Sequence, residues 1–236
     1  MSLPVAILAG GLATRLGSLT ERTPKSLIDV SGQPFAVHQI QLLRRHGITD
    51  IVFLVGHLGE QISARLGDGS EWGVRLRYLS DGPRPLGTGG ALRRAAEELD
   101  DPFFVLYGDS YLETDYAAIE RAFIASGRRG LMTIYRNDDR LERSNVLYAE
   151  GRIVSYDKAH RTPEMHHIDY GLGAFWKSAF DARGDEVFDL ASVYRELIAA
   201  GELAGFEVPH RFYEIGSTEG LEATRAHLTA KGVSTR

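Results

Sequence analysis

Short apolar runs alternate with amphipathic stretches through the first half of the chain. Residues 4–9 are continuously apolar, as are residues 51–55 and 103–107. Runs of that length, without polar alternation, suit strands buried on both faces. Between them, residues 35–46 set Ala36, Ile40 and Leu43 at helical spacing, with Gln39, Gln41, Arg44 and Arg45 between and Gly47 to stop the turn. That pattern predicts an amphipathic helix. A short helix is expected over 58–66. A strand follows at 74–79, where Val74, Leu76 and Tyr78 alternate with Arg75 and Arg77. Residues 88–99 bring Leu92, Ala95, Ala96 and Leu99 to one side of a further helix. The β-α-β-α-β-α-β series predicts an α/β fold: a mostly parallel sheet with helices on both faces.

The second half is less regular. Strands are expected at 131–135, 145–149, 152–156 and 168–176, the middle two joined as a hairpin through Glu150 and Gly151. Helices are expected at 188–200, with Ala191, Tyr194, Leu197 and Ile198 inward, and at 217–231. No repeat, linker or low-complexity tract breaks the chain. We expect a single domain over 1–236. About 1–134 would be its core, about 135–180 an inserted subregion, and 181–236 the closing helices and the segment between them.

Composition narrows the chemistry. The 236 residues carry a net charge of −5, so no basic field for nucleic acid is expected. There are no cysteines, which removes disulfides, thiolate metal sites and a cysteine nucleophile. The first apolar run is too short for a signal peptide, and no apolar stretch is long enough to span a bilayer. A cytoplasmic protein with no membrane partner is expected; oligomeric state is not legible.

Glycines concentrate after the apolar runs. Gly10 and Gly11 follow the first, and Gly108 with Asp109 follows the run at 103–107. In parallel sheets ligands sit beyond the C-terminal strand ends, so both glycine turns should share one site. A turn without Cβ atoms lets backbone N–H groups approach a polyphosphate, and Arg15 and Lys25 offset its charge. Thr14 adds a hydroxyl donor. Pro24 fixes the backbone just ahead of Lys25. An acidic group such as Asp109 at a strand end calls for a cation partner, and a hard cation would bridge carboxylate and phosphate. Pro85, Gly87, Thr88 and Gly89 offer small residues ahead of a helix, suited to packing on a base and ribose, with Thr88 placed to cap that helix. Leu8 could line the same base site. His160, His166 and His167 are expected to be solvated rather than metal-bound.

Residues 10–27 spell G-G-x-x-T-R-L-x-x-L-T-x-x-x-P-K-x-L. With Pro85–Leu92, Leu106–Ser110 and Phe212–Ser217, this resembles the sugar-1-phosphate nucleotidyltransferases, and the likeness covers nearly the whole chain. The short build and the Pro-Leu-Gly-Thr-Gly-Gly segment look most like single-domain heptose-1-phosphate and mannose-1-phosphate guanylyltransferases. The resemblance implies a Rossmann-like fold of the nucleotide-diphospho-sugar transferase type. It also implies transfer of a nucleotidyl group from an NTP, GTP for preference, to a sugar 1-phosphate, with Mg²⁺ as cofactor. It assigns Gly10, Gly11, Thr14 and Arg15 to the triphosphate, Lys25 to the phosphates of both reactants, and Asp109 to the metal. Lys158, Asp169, Tyr170 and Gly171 fall where such proteins contact the sugar phosphate. The second metal ligand is usually an aspartate; here Glu214 stands in its place, one methylene longer, and a glutamate orienting the next helix is the competing reading. A uridylyltransferase of an amino-sugar 1-phosphate, a cytidylyltransferase, and a non-catalytic nucleotide-sugar-binding subunit remain open.

Overall fold

A computed structural model describes residues 2–11, 16–17, 22–82, 84–181, 184 and 187–232. Its sheet is built outward from β1 (Val5–Leu8). β1 lies parallel between β4 (Asp50–Val55) and β6 (Phe103–Tyr107), with Val5 opposite Ile51 on one side and Phe104 on the other. β5 (Arg75–Ser80) continues the parallel run beyond β4.

Alternation along these strands divides the core. Val5, Ile7, Ile51, Phe53, Phe104 and Leu106 face one way. They pack against α1 (Phe35–Arg45), α2 (Gly59–Leu66) and α4 (Tyr116–Ser126). Ala6, Val52, Leu54, Phe103 and Val105 face the other way, onto α3 (Gly87–Ala95) and α5 (Leu190–Ala199). Both faces are dry, which explains apolar runs without polar alternation.

The far side of β6 is antiparallel. β11 (His167–Phe175) pairs Leu172 with Leu106, and it also pairs with β8 (Gly130–Arg136). The hairpin of β9 (Val146–Ala149) and β10 (Arg152–Tyr156) closes that edge. β12 (Leu203–Glu207) adds to β8 in parallel. Among the described residues nine strands form the sheet, and β1, β4, β5, β6, β8 and β12 each have a parallel neighbour. The mixed, mostly parallel sheet between two helical layers is the one expected.

Two of the longer elements went unpredicted. α4 carries Tyr116, Ile119 and Phe123 inward at helical spacing, and Asp115 accepts a hydrogen bond from the Ala118 amide at 2.9 Å as its cap. Both signals were in the sequence. β12 reads Leu-Ala-Gly-Phe-Glu, too poor in branched residues to announce a strand; its pairing with β8 makes it one.

A third apolar cluster lies between α1 and the last helix. Phe35 and Leu42 of α1 pack with Ile28, Val30, Tyr111 and Ile215, and with Leu221 and Leu228 of α6 (Thr218–Ala230). Two short pairings frame it: β2 (Asp29–Val30) with β3 (Gln33–Pro34), and β7 (Ser110–Tyr111) with β13 (Tyr213–Glu214). No helix among the described residues is long and apolar enough to cross a membrane.

Candidate active site

A cavity of about 460 Å³ opens at the C-terminal ends of β1 and β6. Leu8, Gly10 and Gly11 line it after β1, Gly108 and Asp109 after β6, and Lys25 closes one side. The two glycine turns meet as the strand order requires. The Gly108 amide donates to the Leu8 carbonyl at 3.0 Å. A Cβ at position 108 would lie 2.3 Å from that carbonyl oxygen, so only glycine lets the two turns come this close.

Lys25 begins a short 3-10 turn, Lys25–Leu27, behind extended Pro24. Its Nζ donates to Asp109 Oδ2 at 3.0 Å, with the two side chains 18% and 27% exposed. The Ile215 amide holds the Asp109 carbonyl at 2.9 Å. Gln39 of α1, which periodicity placed among the polar positions, is 1% exposed. Its Nε2 donates to the Tyr107 and Ser110 carbonyls at 3.2 and 2.8 Å. The sequence signal for it was a polar residue only one position from Ile40 on a helix buried over two flanks. Thr14 and Arg15 lie outside the described residues.

Pro85, Gly87 and Thr88 line the same cavity. Thr88 does not cap α3, as its position suggested. Its Oγ1 accepts from the Leu190 amide at 2.8 Å, so it fixes the start of α5. Phe188 reinforces this seam, its carbonyl accepting from the Gly89 and Gly90 amides at 2.9 and 3.2 Å. Gly87 has φ +73°, and a Cβ there would sit 2.5 Å from the Phe188 carbonyl oxygen. Gly89 lies against the Phe188 ring rather than on the cavity lining. Asp81, not singled out from sequence, lines the cavity here and accepts from the Leu86 amide at 3.3 Å. Burial pushes its carboxyl above the usual range.

At the other end Lys158 lines the cavity, its Nζ 5.5 Å from the Tyr107 ring centre and 5.7 Å from that of Tyr156. Asp169 lies behind these rings, 8% exposed and off the lining. It accepts from Tyr107 Oη at 2.6 Å, Tyr156 Oη at 3.2 Å and the Gly171 amide at 3.0 Å. Burial, then the Asp169 charge, push both phenols well above their ordinary range. Tyr170 points to the opposite core face and stacks edge-on against Phe212. Gly171 sits behind Ser110.

Glu214 is brought next to the Asp109 turn, its backbone paired with Ser110. Its carboxylate turns toward α6. Oε2 accepts from the Gly216 amide and, at 3.2 Å, from the Ser217 amide; Oε1 accepts from Ser217 Oγ at 2.6 Å. These contacts are those of a glutamate orienting the next helix. Among the described residues, no group of three or more His, Cys, Asp or Glu is arranged to hold a metal ion. The histidines divide: His160 and His166 are exposed beside Asp157 and Asp138, whereas His167 is buried against Glu207 at 3.2 Å and does not face solvent as expected.

Comparison with known proteins supplies the chain's relatives. A mannose-1-phosphate guanyltransferase beta-B of Xenopus laevis is 28% identical over 213 residues, 85% of this chain and 59% of that protein. An N-acetylmuramate alpha-1-phosphate uridylyltransferase of Neisseria meningitidis serogroup B is 39% identical over 113 residues, 48% of this chain and 49% of that one. The chain thus spans between about half and three fifths of these curated relatives. A Bacillus anthracis protein crystallised with sucrose shares the fold, with a TM-score of 0.84 at 21% identity over 96% of this chain and 95% of that one. The nucleotidyl transferase family profile matches residues 5–145, and the chain belongs to that family.

Proposed function

We propose that the chain transfers a nucleotidyl group from an NTP to a sugar 1-phosphate, giving a nucleotide sugar and pyrophosphate. The observation that carries this reading is the Lys25–Asp109 pair, set beside Gly10 and Gly11 in one cavity. A sugar phosphate is already an anionic nucleophile, so no protein base is needed. One of its oxygens forms a bond to the α-phosphorus, the bond from that phosphorus to the bridging oxygen breaks, and pyrophosphate leaves with the electron pair. The obstacle is the approach of two polyanions, and catalysis reduces to alignment and charge neutralisation.

The residues divide that work by position. Gly10 and Gly11, with Thr14 and Arg15, hold the triphosphate. Pro85, Gly87 and Thr88 bound the base and ribose, and Leu8 lines their floor. Lys25 neutralises phosphates of both reactants. Lys158 holds the sugar phosphate over Tyr107 and Tyr156, and Asp169 supports those tyrosines from behind.

A divalent cation fits this donor set in one place. Mg²⁺ binds through one or two carboxylates plus substrate phosphates rather than in an all-protein cage. Asp109 presents such a carboxylate to the cavity, whereas that of Glu214 is taken up by α6. When bound, the ion would neutralise charge between Asp109 and the phosphates.

GTP with a mannose or heptose 1-phosphate is the preferred pair, since a relative aligned over 85% of this chain is named for guanylyl transfer. UTP with an amino-sugar 1-phosphate is the second reading, because the more identical but shorter match is named for uridylyl transfer. A cytoplasmic setting suits a reaction that draws on free NTP. The test is pyrophosphate release from each NTP with Mg²⁺ and a panel of sugar 1-phosphates. Release with GTP and a mannose or heptose 1-phosphate is expected; no release from any pair would overturn the reading.

A further inference from the structure

Gln39 is a costly residue where it stands. It sits on α1 at 1% exposure, one position from Ile40, which is fully buried in the sheet-facing core. A buried amide without partners destabilises a fold, and leucine would fill the space at no such cost. Its Oε1 is buried and has no partner among the described residues, so that half of the amide returns nothing. The return comes from Nε2, which spends its donors on two carbonyls, Tyr107 at 3.2 Å and Ser110 at 2.8 Å.

Those two carbonyls bracket Gly108 and Asp109. Between them the Gly108 amide is tied to Leu8 and the Asp109 carbonyl to Ile215. The turn is therefore held by three separate parts of the chain: the end of β1, the segment after β13, and α1. With these backbone groups held, the aim of the Asp109 carboxylate is set by its own side-chain torsions. α1 also packs against the turn that begins at Lys25, so the helix that carries Gln39 touches both sides of the pair. We propose that Gln39 is a positioning residue for nucleotidyl transfer, clamping the turn at 107–110 so that Asp109 faces the phosphates.

The inference rests on the nucleotidyl-transfer reading for its kinetic and Mn²⁺ arms, not for its exchange arm. Gln39→Leu and Gln39→Met remove both donors at similar volume. Gln39→Glu keeps the shape and replaces the donors with an acceptor. In each variant kcat should fall about 10- to 100-fold while KM for the NTP moves less than about threefold, the pattern of lost alignment. Two further readouts do not depend on turnover. Mn²⁺ affinity of the protein–NTP complex, measured by electron paramagnetic resonance, should weaken severalfold. Amide exchange at residues 107–110 should speed up while β1 and β4 stay protected.

Unchanged exchange and Mn²⁺ affinity, or a fall in kcat that only tracks the loss of folded protein, would overturn the proposal. So would failure of all three variants to fold, which would make Gln39 a structural residue. A wild-type chain that releases no pyrophosphate would sink the reaction reading instead, and the exchange measurement would still judge Gln39.

Discussion

Lys25 and Asp109, 84 residues apart in sequence, meet Nζ to Oδ2 at 3.0 Å in the lining of the cavity. Each is the charge that the other reactant class would claim: phosphate for the lysine, a cation for the aspartate. Held together, each offsets the other's charge in a half-buried setting before substrates arrive. The pair is partly solvated, so its worth to folding should be small, about 0–1 kcal/mol. Its worth to turnover should be large. Lys25→Met and Asp109→Asn are each expected to lower kcat/KM by on the order of 100- to 1000-fold, as lost charge-stabilising groups do. Urea denaturation of both single variants and the double variant should give a coupling energy of no more than about 1 kcal/mol. A much larger coupling with activity retained would mean that the pair is structural.

Glu214 tests how the site divides its carboxylates. Its three contacts, to the amides of Gly216 and Ser217 and to Ser217 Oγ, anchor the start of α6. Ser217 in turn caps the helix, its Oγ accepting from the Gly220 amide at 3.0 Å. Glu214→Ala should therefore cost about 0.5–2 kcal/mol of stability, the range for a lost helix cap. Glu214→Gln keeps an acceptor toward Ser217 and should retain activity within about tenfold at saturating Mg²⁺, against the far larger loss in Asp109→Asn. Equal losses in the two variants would make Glu214 a metal ligand.

Asp169 tests the sugar end. Its charge is spent on Tyr107, Tyr156 and the Gly171 amide, so its effect on substrate runs through the two rings beneath Lys158. Asp169→Asn weakens charge-assisted hydrogen bonds worth about 1.5–3 kcal/mol each in a buried setting. KM for the sugar 1-phosphate should rise about tenfold or more, with KM for the NTP unchanged. If both constants move together, the substitution has disturbed the fold rather than the sugar end.

What the sequence could and could not announce follows from where the forces act. β1, β4 and β6 were legible because a strand buried on both faces must be apolar throughout. The meeting of the Gly10 and Gly108 turns was legible because parallel strands point their ends the same way. Thr88 was not, because its partner, the Leu190 amide, is 102 residues away and no local pattern records it. Gln39 fails for the same reason: periodicity assigns polar residues to solvent, and only the packed turn shows what the amide holds. Asp169 reads as a free carboxylate until Tyr107 and Tyr156 close around it.

His38 gives the fold a pH dependence of stated sign. It is 1% exposed on α1. Its Nε2–H donates to the Val30 carbonyl at 2.7 Å, and Nδ1 accepts from Gln33 Nε2 at 3.0 Å, a pattern that only the neutral ring satisfies. Burial, the largest influence, lowers its pKa below the ordinary 6.5, against the raising effect of the Val30 hydrogen bond. His46 is lowered too, first by burial and then by Arg45. The unfolded chain therefore takes up protons near pH 6.5 that the folded chain refuses. Stability is intact above that value and is lost as pH falls below it. Glu113 does not share this window. Burial would raise its carboxyl, but hydrogen bonds from Lys231 and His227 hold it below the ordinary 4.5, so its contribution is lost only in stronger acid. Urea denaturation at pH 7.5, 6.5 and 5.5 should show stability falling by up to about 1.4 kcal/mol per pH unit for each refused proton. Gln at position 38 keeps a donor for Val30 and cannot titrate, so His38→Gln should flatten the slope between pH 6.5 and 5.5. An unaltered slope would assign the effect to His46 alone.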